Sequence, residues 1–221
     1  MSADALEERL GHRFTDRALL ERALTHRSAA GKGIESNERL EFLGDRVLGL
    51  VIAEWILERF PKEREGDLGK RLARLCSQEA IAPIAEAMGI AAALRVPPSE
   101  ARGGVRERAT VLSDALEAVL GALYLDAGLE AARRVIRREW EAAVEGQRRP
   151  PSSAKNRLQE WTLGRGLGLP EYRHLGAEGP AHAPRFVVLV RAAGREARGS
   201  GETKRAAEAA AAEAWLAEAE R

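Results

Sequence analysis

The stretch Asn37-Glu38-Arg39-Leu40-Glu41-Phe42-Leu43-Gly44-Asp45 places carboxylates within a segment whose apolar residues recur at helical spacing. Glu38, Glu41 and Asp45 stand at i, i+3 and i+7, which a helix of about 3.6 residues per turn stacks on one face. Like charges at that spacing repel, so the stripe is best tolerated with a cation, or the phosphates and metals of a substrate, in front of it. A second acidic pair, Asp114 and Glu117, falls at i, i+3 in Val111-Leu112-Ser113-Asp114-Ala115-Leu116-Glu117-Ala118-Val119-Leu120, another strongly helical run. Two such helices face to face would cage a hard divalent ion. Carboxylates so arranged suit Mg²⁺, which takes oxygen ligands, keeps several waters and is commonly completed by phosphate oxygens. An ion held this way activates water and stabilises charge at phosphorus, so phosphodiester hydrolysis is the natural chemistry. The ordinary alternative pairs Glu38 and Glu41 with Arg39 or Arg46 on a solvated surface. Two acidic pairs, each embedded in an apolar helix, favour a site.

The chain has 221 residues, enough for one large or two ordinary domains. Its hydrophobic fraction of 45% and charged fraction of 31% describe a globular protein. No run reaches the roughly 18 apolar residues of a membrane span, so no membrane partner is expected. The start, Met1-Ser2-Ala3-Asp4-Ala5-Leu6-Glu7-Glu8, lacks an apolar signal core, and a cytoplasmic location is expected. The lone Cys76 fits a reducing compartment and reads as a small buried hydrophobe. With His12, His26, His174 and His182 scattered, a zinc site is not expected. The net charge of +1 decides nothing about partners, and the excess of eleven Lys/Arg over nine Asp/Glu in residues 152–221 is too small to establish RNA binding.

From Asp16 to about Val144 the pattern is almost wholly helical, as in Leu48, Val51, Ile52, Trp55 and Ile56. Breaks are expected at Pro61, in a loop from Pro97-Pro98 to Gly103-Gly104, and at Asp126-Ala127-Gly128; Ser77 reads as a helix start. Gly146-Gln147-Arg148-Arg149-Pro150-Pro151-Ser152-Ser153 has the composition of an exposed linker. Beyond it the pattern changes to a helix over 154–163, strands over 172–175, 186–190 and 195–200, and an alanine-rich helix over 203–218. The chain thus reads as multi-domain: an all-α domain over 1–146, a linker over 147–153, and a small two-layer α+β domain of order α-β-β-β-α over 154–221.

The nine residues 37–45 resemble, position for position, the signature of ribonuclease III, the bacterial endonuclease of double-stranded RNA. Leu24-Thr25-His26-Arg27-Ser28 upstream and Ser113 to Asp126 downstream extend the resemblance, with Ser113 where the family usually has Ala. The resemblance implies that Glu41, Asp45, Asp114 and Glu117 hold Mg²⁺, with Mn²⁺ a possible substitute, and that Asp45 and Glu117 are catalytic. Glu38 and Glu65 match acidic family positions with supporting roles in RNA or dimer contacts. It also implies an all-helical homodimer whose two sites each cut one strand, leaving 5′-phosphate and 3′-hydroxyl ends with short 3′ overhangs. Phe42 and Leu43 read either as core or as dimer interface. The loop Arg102-Gly103-Gly104-Val105-Arg106-Glu107-Arg108 resembles a family stretch shifted by about one residue, and Arg106 or Arg108 could reach a phosphate. His26 reads as a structural hydrogen-bonder, not a base.

An α-β-β-β-α domain can grip A-form RNA through shape, with polar groups on one helix and one loop for the minor grooves and cations at a helix N-terminus for the phosphates. Asn156, Gln159 and Glu160 at i, i+3 and i+4, His182 in the Gly179-Pro180-Ala181-His182 loop, and Lys204-Arg205 supply these. Together with their surroundings they resemble a double-stranded-RNA-binding domain. Asn156 stands where the family has Thr and Arg205 where it has a second Lys, which keeps hydrogen bonding and charge while changing geometry. Trp161 and Tyr172 read as core, because a duplex offers no splayed bases. Double-stranded RNA and a second copy of the chain are therefore the expected partners, and ribosomal RNA precursors and structured messages the targets the resemblance suggests. A non-cleaving RNA-binding regulator is the alternative, but it would not need the full acidic quartet. A phosphohydrolase of small nucleotides would not need residues 152–221.

Overall fold

The computed structural model describes residues 3–31, 35–147, 150–179 and 184–219. It divides into two compact units, residues 1–151 and 152–221. The first is all helical: α1 (Ala3–Leu10), α2 (Arg17–Ala23), α3 (Glu38–Arg59), α4 (Glu65–Leu75), α5 (Gln78–Ala87), α6 (Ile90–Ala93), α7 (Pro98–Arg102) and α8 (Ala109–Glu145). The second runs α9 (Ala154–Leu163), β1 (Glu171–Glu178), β2 (Arg185–Ala192), β3 (Arg195–Gly201) and α10 (Lys204–Ala219). The expected multi-domain class, all-α followed by α+β, is what forms. No helix among the described residues is long and apolar enough to cross a membrane.

Helices α3 and α8 form the centre of the first unit. Leu40, Val47, Leu48, Val51, Ile52 and Ile56 of α3 recur at three and four and are all buried, as are Leu112, Leu116, Val119, Leu120 and Leu123 of α8. Two glycines set how closely the helices approach. A Cβ on Gly44 would lie 1.7 Å from the Glu117 carbonyl oxygen, and one on Gly121 would lie 2.3 Å from that of Leu40. Contact is therefore backbone to backbone, and the pairings 44 with 117 and 40 with 121 mean the helices run in opposite directions there. Glycine in a helix interior costs about 1 kcal/mol relative to alanine, so this contact is the physical reason for both. Farther along, Arg133 to Glu54 at 2.8 Å and Arg59 to Glu145 at 3.0 Å join the same helices on the surface.

Several boundaries depart from the sequence pattern. The N-terminal residues add α1, because Leu6 and Leu10 share one face and are buried. The proline–glycine stretch is not all loop: Pro98 opens α7, its fixed φ suiting the first helical position. The expected break at Gly128 is real, since that residue has φ 76° and ψ 179° inside α8, a conformation reserved for glycine. Ser77 does precede α5. The buried Arg71 of α4 bonds Glu63 at 2.6 Å and the Gln147 carbonyl at 2.6 Å and stacks over Phe60, tying α4 to the end of α8.

In the second unit the antiparallel sheet runs β1-β2-β3. Strands β2 and β3 meet through Ala193 and Gly194, with φ 49° and 74°, the positive values a two-residue hairpin requires. Val188 and Val190 point inward, paired with Gly199 and Ala197, and are covered by Ala207, Ala211, Ala212 and Trp215 of α10. The alanine-rich sequence of α10 follows from that approach: a Cβ on Gly199 would lie 2.0 Å from the Ala211 nitrogen. Trp161 packs edge-on against Trp215 at 4.9 Å and Tyr172 lies against the same cluster, both as expected of core. Gly44→Ala should push α3 off α8 and destabilise the first unit by about 3 kcal/mol. Thermal melting should show its transition lowered, with that of the second unit unmoved; an unchanged first transition would refute the close contact.

Candidate active site

The α3–α8 contact sets where the acids go. Glu41 lies one turn before Gly44 on α3, and Asp114 and Glu117 lie on the first turns of α8. Carboxylate oxygens of Glu41, Asp114 and Glu117 all fall within 4.8 Å of one another. Each is partly buried, and among the described residues none has a salt-bridge partner. Glu117 is pushed up to about 7, first by burial and then by the charges of Asp114 and Glu41, against a smaller opposing pull from Arg46. Glu41 is raised by burial, then by Asp114 and Glu38. Asp114 is raised by burial, while its Ser113 hydrogen bond, Arg27 and His26 pull the other way.

Asp45 does not join them here. Its carboxylate is 41% exposed and paired with the neighbouring Arg46, whose guanidinium lies over the Phe42 ring at 5.0 Å. Glu38, the first residue of α3, is exposed and accepts a hydrogen bond from the Ser36 hydroxyl at 2.8 Å. Glu65 is exposed in the first turn of α4, where a negative charge suits the helix dipole. Phe42 is 66% exposed, whereas Leu43 packs against the core, so the two residues take different roles. Cys76 is partly buried and feels the Glu117 charge; burial chiefly, and that charge secondarily, push its thiol up to about 12. It is inert as a nucleophile at neutral pH.

Beside the acids lies a cavity of about 390 Å³ lined by His26, Arg27, Asn37, Glu38, Glu41, Arg108, Thr110, Val111 and Asp114. Its floor is tied together through the backbone. Asn37 N donates to the Thr25 carbonyl at 3.0 Å, and its own carbonyl accepts from Leu40 and Glu41, starting α3. His26 caps the short 3-10 turn 27–29, its Nδ1 2.7 Å from the Ser28 hydroxyl, the structural use expected of it. Arg108 lines the cavity and Arg106 does not. Arg27 and Asn37 belong to the 24–28 and 37–45 motifs, but nothing in their spacing marks them as cavity residues.

In the second unit, Asn156, Gln159 and Glu160 are exposed on α9 while Leu158 and Thr162 are buried. The Ser153 hydroxyl caps α9 by accepting from Asn156 N at 3.2 Å. Lys204 and Arg205 are exposed at the start of α10. The helices are linked by Lys155 to Glu208 at 2.5 Å and by Arg157 to Glu213. His182 lies outside the described residues.

Comparison with known proteins supplies the family. The ribonuclease-III-like profile matches residues 16–142, and the double-stranded RNA binding motif matches residues 154–218. The Ribonuclease 3 of Azorhizobium caulinodans is 48% identical over 218 residues, covering 96% of this chain and 92% of that protein. That of Caulobacter vibrioides is likewise 48% identical, covering 96% of this chain and 93% of its own. The nuclease domain of ribonuclease III from Campylobacter jejuni superimposes with a TM-score of 0.60 at 41% identity, over 63% of this chain and 94% of that one. Close to half its residues are shared across almost its full length, and both domains match in order: this chain belongs to the ribonuclease III family.

Proposed function

We propose that the protein hydrolyses phosphodiester bonds within double-stranded RNA, using Mg²⁺ with Mn²⁺ as a substitute. The observation that carries this is the convergence of Glu41, Asp114 and Glu117, within 4.8 Å and without an ion pair among the described residues. The donor set fits a hard dication: oxygen ligands only, too few to saturate it, leaving room for water and phosphate. Glu41, Asp114 and Glu117 would hold the ion, with Asp45 joining once it leaves Arg46; Glu117 and Asp45 carry the catalytic roles. A bound Mg²⁺ supplies water activation and neutralisation of charge at the phosphorus. The protein's part is to fix the acids on two rigid helices, strip water from them by burial, and leave one side open to the strand.

The second domain, over 154–221, holds the duplex by shape, with Asn156, Gln159, Glu160 and His182 toward minor grooves and Lys204 and Arg205 toward the phosphates between. Residues 1–146 form the nuclease and 147–153 the linker. Two copies assemble, and the exposed Phe42, Leu50 and Leu57 of α3 support that reading. The nuclease domain of ribonuclease III from Campylobacter jejuni, a solved relative, has a structurally flexible region involved in dimer formation. Paired sites, one per strand, yield 5′-phosphate and 3′-hydroxyl ends with short 3′ overhangs. Glu38 and Glu65 support RNA or dimer contacts. Cytoplasmic ribosomal RNA precursors and structured messages are the substrates.

Gel cleavage of a labelled duplex and its single strands tests the activity. Only the duplex should be cut, only with Mg²⁺ or Mn²⁺, and Glu117→Ala should bind it but cut at least a hundredfold more slowly. A protein that shifts the duplex without cutting it in either metal would instead be a non-cleaving RNA-binding regulator.

Electrostatics give a second test. With its folded value near 7 and an ordinary value of 4.5, Glu117 binds more protons folded than unfolded between those pH values. Unfolding free energy therefore falls as pH rises through that window, and Glu41 and Asp114 push the same way. In EDTA the nuclease-unit melting temperature should drop between about pH 4.5 and 8 more steeply than in Glu117→Gln, and Mg²⁺ should recover more of it in the unsubstituted protein. Parallel profiles would remove Glu117 from the cluster.

A further inference from the structure

The cavity beside the acids carries positive charge that the metal site does not use. Arg27 and Arg108 both line it, and neither guanidinium makes a hydrogen bond or ion pair among the described residues. Other arginines, such as Arg22, Arg59, Arg71 and Arg133, hold carboxylates; Arg27 and Arg108 are set apart from the remaining unpaired ones by lining one cavity beside the acidic cluster. Asn37 lines the same cavity and is only 4% exposed, yet its carboxamide has no hydrogen bond among the described residues. An amide that opens onto the cavity without a protein partner offers a ligand both a donor and an acceptor there.

All three groups stand on fixed backbone. Arg27 opens the turn capped by His26, and that strand of chain is pinned on both sides, Arg95 N donating to the Leu24 carbonyl at 2.7 Å and His26 N to the Arg95 carbonyl at 3.1 Å. Asn37 is tied to Thr25, one residue further back. Arg108 immediately precedes α8, its carbonyl accepting from Leu112 N at 3.0 Å. The charge of Arg27 already reaches Glu41 and Asp114, pulling both downward against burial. A volume of about 390 Å³ exceeds by far the roughly 30 Å³ share of one water and admits a sugar–phosphate unit.

We propose that Arg27, Arg108 and Asn37 form a subsite for a backbone phosphate of the RNA strand, next to the phosphate being cut at the acidic cluster. A planar guanidinium matches two phosphate oxygens at once, and two of them with an amide donor surround the anion. With a dication shared by the carboxylates, the net charge of the cavity favours that anion. The subsite rests on the nuclease reading for its location and gives the strand its register across the acids. Arg108, not Arg106, is the loop arginine that takes part.

The test uses the full chain and a labelled RNA duplex. Binding is measured in EDTA over a range of salt, and cleavage in Mg²⁺, for Arg27→Gln, Arg108→Gln, the double variant, Asn37→Asp and, as a surface control, Arg102→Gln. Each cavity arginine lost should flatten the slope of log affinity against log salt by about one, and Arg102→Gln should leave it unchanged. The double variant should lose at least tenfold in kcat/KM but less than the product of the single losses, because both arginines hold one phosphate. Asn37→Asp, nearly isosteric, should weaken binding by placing an anion in the subsite. Arg108→Lys guards against misfolding: it should keep the salt slope while losing part of kcat/KM. Slopes and kcat/KM equal to those of the unsubstituted, cutting protein would overturn the subsite and leave the nuclease reading standing. A protein that cuts nothing yet shows the slope changes would do the reverse.

Discussion

The contact of Gly44 with the Glu117 carbonyl, and of Gly121 with that of Leu40, is the constraint on which the rest of the molecule depends. Without side chains at those two positions, α3 and α8 meet at backbone distance, closer than the usual 8–10 Å between packed helix axes allows for larger residues. That closeness converts two acidic pairs far apart in sequence into one cluster. Any residue with a Cβ at either position would separate the helices and with them Glu41 from Glu117.

The same packing places three carboxylates where they destabilise one another. Burial raises all three, Glu117 to about 7, and neighbouring carboxylates add to the rise of Glu117 and Glu41; Arg46 and Arg27 pull the other way, but among the described residues none of the three acids is held in an ion pair. Elsewhere in the chain burial is reconciled with charge: Arg71 sits 1% exposed between Glu63 and the Gln147 carbonyl, and Asp126 accepts from Thr15 N, Asp16 N and His12. The contrast between these satisfied charges and the unpaired cluster of Glu41, Asp114 and Glu117 is what the proposed dication site rests on.

Much of this was legible in residues 37–45 and 111–120. Helical spacing identified both acidic runs, and the change of pattern after Ser153 identified the second domain. What spacing could not give was depth. Asp45 shares a face with Glu38 yet lies two turns along the helix, about 10 Å away along its axis, where the adjacent Arg46 claims it. Periodicity assigns a face; which residues on that face converge is decided by the partner helix. Gly44 drew no reading from the sequence: an interior helical glycine carries a signal of close approach, but not of what approaches. Arg27, Asn37 and Arg108 meet only because the chain folds 24–26 against Arg95 and Asn37 against Thr25, long-range hydrogen bonds without a sequence period. Strands proved longer than their apolar centres because backbone pairing continues into the polar residues at their ends.

The most direct measurement of the central claim is a crystal structure of the protein with Mn²⁺, its position taken from anomalous scattering. The account predicts a peak bound jointly by Glu41, Asp114 and Glu117, with the Asp45 carboxylate turned from Arg46 toward it. An ion bound elsewhere, or an empty cluster at saturating Mn²⁺ with the three carboxylates protonated and hydrogen-bonded to one another, would contradict it.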